Sequence, residues 1–133
     1  MAELADFFVS EQRVLFAYLF GSRARSGQSG PLSDLDLAVC LDDQADFFAT
    51  RLHLMASLAR RIRTEKFDLV VLNEAPLILR YEVVKDGIVL KEDKPRRVLF
   101  ETEVVRTYLD TQPLRDTQCR YLKASLRNEA VHG

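Results

Sequence analysis

Three carboxylates and one Gly-Ser pair are the residues of this chain whose types and spacing suit catalysis. Asp34 and Asp36 flank a single leucine, in a segment running to Leu41 that alternates as a half-buried strand does. Residues i and i+2 of a strand project from one face about 6–7 Å apart, so the two carboxylates stand together while Leu35, Leu37 and Val39 take the other face. Like charges inside an otherwise apolar element repel each other and lose hydration, which raises at least one pKa or weakens the strand. A divalent cation removes the conflict. Mg²⁺ takes oxygen ligands from one or two carboxylates and completes its shell with water and phosphate oxygens. Asp68, near the start of a later apolar segment, adds a third carboxylate. Alone it reads as a strand-end residue; with the Asp-x-Asp pair it suits a two-ion site, the ions about 3.5–4 Å apart, for in-line phosphoryl or nucleotidyl transfer.

Gly21 and Ser22 follow directly on the apolar run Val14 to Phe20. If Ser22 opens a short helix through Arg25, the first backbone N–H groups and the hydroxyl are open to phosphate oxygens, and Gly21 permits close approach. An isolated Gly-Ser pair after a strand is more often a turn and helix cap. Arg23 and Arg25 add positive charge nearby and read equally well as a solvated helix face. A P-loop is excluded, since the chain contains no Gly-Lys pair.

The elements that must carry these residues alternate along the chain. A short amphipathic helix over about 3–12 precedes the strand Val14 to Phe20, and Gly27 to Ser33 has loop composition. Between 45 and 64, Phe48, Leu52, Met55, Ala59 and Ile62 repeat at helical steps, with Asp42 or Asp43 as the expected cap. Phe67 to Leu72 reads as a strand, 75–85 as a helix, Asp86-Gly87 as a turn and Ile88 to Lys91 as a short strand. Beyond Pro95 the pattern is helical, with Val98, Thr102, Val105 and Leu109 on one face, and Pro113 is expected to end or kink this helix before a last stretch to about Asn128. Strands interleaved with helices imply an α/β (α+β) fold with a helix-covered sheet.

With 133 residues, 47% hydrophobic and 29% charged, the chain suits one domain of ordinary globular composition. The expected division is a catalytic core over 1–94 and a helical tail over 95–133. A net charge of -1 gives no strong nucleic-acid signal. The charge is uneven: residues 1–50 hold three basic and eight acidic side chains, residues 51–100 eleven and seven. The acidic excess coincides with the Asp-x-Asp motif. The seven-residue run Val14 to Phe20 is far short of the about 18–20 needed to span a bilayer, and the acidic start Met-Ala-Glu-Leu-Ala-Asp is unlike a secretory signal. A cytoplasmic location is expected. Cys40 and Cys119 lack CxxC spacing, and His53 and His132 are too isolated for a zinc site.

Gly21-Ser22, eleven residues, Asp34-x-Asp36 and then Asp68 resemble the signature of the polymerase-β-like nucleotidyltransferase superfamily, with one residue more between serine and aspartate than is common in its minimal members. Larger members append domains for a second substrate, for which this chain has no length to spare. Arg80-Tyr-Glu-Val-Val-Lys-Asp-Gly-Ile-Val-Leu90, Phe100-Glu and Tyr108-Leu-Asp110-x-x-Pro113 resemble MntA-type antitoxins of the HEPN/MNT toxin–antitoxin systems, so the resemblance spans nearly the whole chain. It implies a small mixed sheet flanked by helices and transfer of AMP from ATP to a tyrosine of a HepT-type ribonuclease toxin, in a hetero-oligomer with it. It also implies roles: Asp34, Asp36 and Asp68 as ligands of two Mg²⁺ ions, Asp68 also receiving the tyrosine proton, and Gly21 and Ser22, with Arg23 and Arg25 nearby, on the triphosphate. Two alternatives are a small-molecule nucleotidyltransferase that completes its acceptor site by oligomerising, and a non-catalytic antitoxin that blocks its toxin by binding. The intact carboxylate set counts against the second.

Overall fold

The apolar run that ends at Gly21 becomes the centre of the sheet. In the computed structural model, which describes residues 2–21, 35–62 and 66–132 with side chains as far as Leu126, strand β1 (Val14–Phe20) lies between β2 (Leu35–Leu41) and β4 (Ile88–Lys91), antiparallel to both. Strand β3 (Phe67–Val71) runs parallel to β2 on its outer side, giving the order β3-β2-β1-β4. Around this mixed sheet stand α1 (Ala2–Val9), α2 (Phe47–Ile62), α3 (Leu77–Asp86) and α4 (Lys94–His132). Parallel neighbours need a crossover, and α2 supplies the one between β2 and β3.

Strand alternation divides the core in two. Ala17, Leu19, Leu37, Val39, Leu69 and Val71 bury against Leu4, Phe7 and Phe8 of α1 and Leu54 and Leu58 of α2. A register shift between Val14 and Phe16 brings Val14 to this same face. Phe16, Tyr18 and Ala38 project the other way, onto Leu72, Val83 of α3 and Phe100 of α4. On that second face the Tyr18 hydroxyl donates to Glu101 Oε1 at 2.7 Å, and the same oxygen accepts from Arg97, which also pairs with Glu92. Burial, reinforced by Glu101, pushes the Tyr18 hydroxyl well above the usual phenol range.

Several expectations need correction. Helix α2 is rotated from its expected face: Thr50, Leu54 and Leu58 are buried, Met55 and Ile62 of the expected stripe pack at the edge of the core, and Phe48 is 70% and Leu52 50% exposed. Two stripes at helical spacing coexist in this segment, and the sheet selects the one spaced by four residues. Its cap is Asp46, whose Oδ1 accepts the N–H of Ala49 at 3.0 Å, whereas Asp42 caps a turn at Gln44. In α4 the packed face carries Phe100 and Val104, with Val98 and Leu109 exposed. Pro113 does not end this helix, which continues to His132. Proline removes one ladder hydrogen bond, that to the carbonyl four residues earlier, and the Arg115 guanidinium ties the turns on either side together by donating to the Tyr108 carbonyl and the Thr111 hydroxyl. The guanidinium also lies 3.9 Å above the Tyr108 ring, whose other neighbour is Tyr81, stacked at 3.6 Å. Among the described residues no helix is long and apolar enough to cross a membrane.

Candidate active site

Strand register brings together residues distant in sequence. Phe20 pairs with Asp36 across β1 and β2, and Asp36 pairs with Asp68 across β2 and β3. Neighbouring strands lie about 4.8 Å apart and paired residues point to the same side, so the two carboxylates leave adjacent backbones on one face. Gly21 closes the group. It ends β1 with φ +84°, a left-handed conformation that favours glycine. A Cβ there would sit 2.3 Å from Asp36 Oδ2, well inside van der Waals contact. Glycine thus suits the backbone angle, and its lack of a Cβ lets the Asp36 carboxylate keep this position.

Asp68 is the more open of the pair, its side chain 66% exposed. Its Oδ1 accepts the backbone N–H of Leu69 at 3.0 Å and lies 3.8 Å from Arg51 Nη2 of α2. Arg51 is itself anchored, its Nε donating to the Leu69 carbonyl at 2.9 Å. Among the described residues, both contacts of the Asp68 carboxylate thus fall on Oδ1. An exposed pair of this kind adds little stability; its effect is to orient the carboxylate. Arg51 was not a sequence candidate, and the only available signal was an arginine in a helix whose rotation the sequence misplaces.

Of the seven residues singled out in the sequence, Gly21, Asp36 and Asp68 are brought together; Ser22, Arg23, Arg25 and Asp34 lie outside the described residues. Among the described residues no three His, Cys, Asp or Glu side chains gather as a ligand set. The pair that is described has the donor chemistry of a hard-cation site: carboxylate oxygens from adjacent strands, with no side chain at Gly21 to fill the space beside them. Cys40, on the same face of β2, is no rival nucleophile, since burial pushes its thiol up to about 11.

A family model described as polymerase beta, nucleotidyltransferase matches residues 2–96, which include all three assembled residues. The chain belongs to the polymerase beta nucleotidyltransferase family. Among solved structures, this nucleotidyltransferase chain is similar to one in a toxin–antitoxin complex with AMP-PNP, at 27% identity and TM-score 0.75, over 91% of this chain and 96% of that one. It is similar to a chain of an MntA–HepT toxin–antitoxin complex, at 26% identity and TM-score 0.70, over 92% and 97% of the two chains. A third likeness is to a chain in the complex of tri-AMPylated Shewanella oneidensis HEPN toxin with MNT antitoxin, at 26% identity and TM-score 0.69, over 92% and 99%. No curated protein matches the nucleotidyltransferase chain.

Proposed function

We infer that this nucleotidyltransferase transfers AMP from ATP to a tyrosine of a HEPN-family ribonuclease toxin and thereby acts as its antitoxin in the cytoplasm. The observation that carries the reading is the placement of Asp36 in register beside Asp68 and against Gly21, inside the segment that the family model matches. The partner follows from the similar chains, whose complexes contain a toxin, an ATP analogue or an AMPylated HEPN protein. The chain works as one domain, residues 1–94 forming the catalytic core and residues 95–133 the helical tail.

The reaction joins a tyrosine oxygen to the α-phosphorus of ATP as the bond to the leaving pyrophosphate breaks, and the tyrosine proton needs an acceptor. Asp34, Asp36 and Asp68 would hold two Mg²⁺ ions, which would supply positive charge against the α-phosphate and the leaving pyrophosphate. Gly21 and Ser22 hold the triphosphate, with Arg23 and Arg25 adding positive charge, so that binding energy fixes the α-phosphate before the acceptor arrives. Asp68 receives the proton of the attacking tyrosine, whose reference pKa is about 10 and which is a weak nucleophile without a base. The openness of Asp68 suits that task, because a protein-borne hydroxyl must reach it from solvent.

The experiment combines the chain, Mg²⁺-ATP and a HEPN-family ribonuclease toxin, and follows toxin mass and pyrophosphate release. Asp36→Asn and Asp68→Asn should each lower the transfer rate about a hundredfold or more while Tm changes little. Transfer at the parent rate in both variants would rule out the site.

A further inference from the structure

The face of α4 that packs on the sheet does not stop where the sheet does. Phe100 and Val104 bury against the second face, and Tyr108 stacks on Tyr81 of α3. Continuing at helical steps of seven, seven and four, the same face carries Arg115, Leu122 and Leu126. Every described side chain from Asp116 to Leu126 is exposed, Leu122 by 62% and Leu126 by 63%. Leu114 and Tyr121, seven residues apart and 65% and 76% exposed, widen the apolar surface on one side. Beyond Tyr108 the helix extends about 36 Å, at about 1.5 Å per residue, and from Asp116 to Leu126 no other described element covers it.

Such a segment is poorly suited to stand alone in water. Most helical stability in proteins comes from packing of an apolar face, and this segment contains Pro113 and the β-branched Thr111 and Thr117. A contiguous exposed apolar strip of this kind marks an interaction surface. The similar chains were solved in toxin–antitoxin complexes, which supplies a partner of defined class. The 25 residues after Tyr108 form about a fifth of the sequence, yet the likenesses to chains solved with a toxin extend over 91–92% of it. The shared architecture therefore includes more than half of the projecting segment, and in those crystals the companion molecule is a toxin.

We propose that the Leu122–Leu126 face of α4 is the docking surface for the HEPN-family partner, on an apolar face of that protein. This rests on the functional reading above for the identity of the partner. Docking through the tail does not cover the carboxylates and holds the acceptor protein to the enzyme between transfers. The proximal half of the stripe is consumed by the chain's own core, so the partner engages the helix beyond Tyr108.

The test uses the full chain carrying Leu122→Asp together with Leu126→Asp, both exposed in the free protein. An opposite-face control carries Arg120→Glu. Toxin affinity is measured by calorimetry, helix content by circular dichroism and AMP transfer by toxin mass. The double variant should keep its helix content and lose toxin affinity about a hundredfold, as expected from removing two buried leucines from an interface, while the control binds as the parent does. Parent-like affinity in the double variant would overturn the proposal. So would a parent chain that is dimeric by light scattering and becomes monomeric in the variant with toxin binding unchanged, which would assign the face to a second copy. Lost binding in the variant supports the docking face whether or not the parent pair transfers AMP. Absence of a toxin mass increase in the parent pair refutes the catalytic reading instead.

Discussion

Replacing Gly21 by alanine tests the site by adding one methyl group. The new Cβ would meet Asp36 Oδ2 at 2.3 Å and Cγ at 3.1 Å. Ordinary contact begins near 3.4 Å, so the carboxylate must retreat by about 1 Å, and a misplacement of that size at a reacting centre costs about a hundredfold in rate. The backbone adds its own penalty. A side chain at φ +84° costs about 1–2 kcal/mol, or a fall in Tm of about 3–8 °C for a chain of this length. Gly21→Asn separates the two effects, because asparagine tolerates the left-handed region while carrying the same Cβ. Both variants should lose pyrophosphate release with Mg²⁺-ATP and the toxin, and the asparagine variant should lose less Tm in a thermal scan. A Gly21→Asn protein of near-parent stability and full turnover would show that the Asp36 position does not matter to the chemistry.

Other outcomes follow from the core and the tail. Tyr18→Phe removes the hydroxyl from Glu101 but leaves Glu101 paired with Arg97, so chemical denaturation should show a loss of about 1 kcal/mol. Cys119 is exposed, whereas the Cys40 thiol is raised from 9.0 to about 11, so at pH 8 a thiol reagent should titrate one cysteine quickly and the other only on unfolding. The raised thiol also fixes the sign of the alkaline limit: the unfolded chain releases this proton first, so stability is complete below about pH 9 and declines as pH rises towards 11, measurable as Tm against pH. Arg115→Ala removes the bridge across Pro113, and circular dichroism should show a loss of helix that leaves the cooperative unfolding of the core in place.

How much of this was legible in the sequence depended on what bounded each element. The strands Val14–Phe20 and Ile88–Lys91 emerge with the expected limits, because Gly21 stops one and the Asp86-Gly87 turn starts the other. Helix rotation was not legible. Thr50, Leu54 and Leu58 compete with Phe48 and Leu52 for the core in α2, and Phe100 and Val104 compete with Val98 and Leu109 in α4. Periodicity supports both stripes of each pair, and only the sheet beneath decides. That ambiguity hid Arg51, whose approach to Asp68 depends on the rotation of α2. Asp36 and Asp68 were legible as a carboxylate set from residue types, but their adjacency is a property of strand pairing that a linear reading does not contain. Pro113 does not end its helix because a proline costs one ladder hydrogen bond and not the whole ladder, and Arg115, two residues later, ties the adjoining turns together.

The pairing of Phe20 with Asp36 has a further implication for how such sites tolerate change. Fourteen residues separate Gly21 from Asp36, but the contact between them is fixed by the ladder of β1 and β2, in which a slip of one residue would turn every side chain of the strand to the wrong face. Lengthening a connection is by comparison cheap, about 0.6 kcal/mol for a doubling. A change of one residue in the connection between Ser22 and Asp34 therefore leaves Gly21 and Asp36 facing each other. Insertions in that connection and insertions in the strands belong to different classes of mutation: the first can accumulate as lineages diverge, while one of the second removes the enzyme.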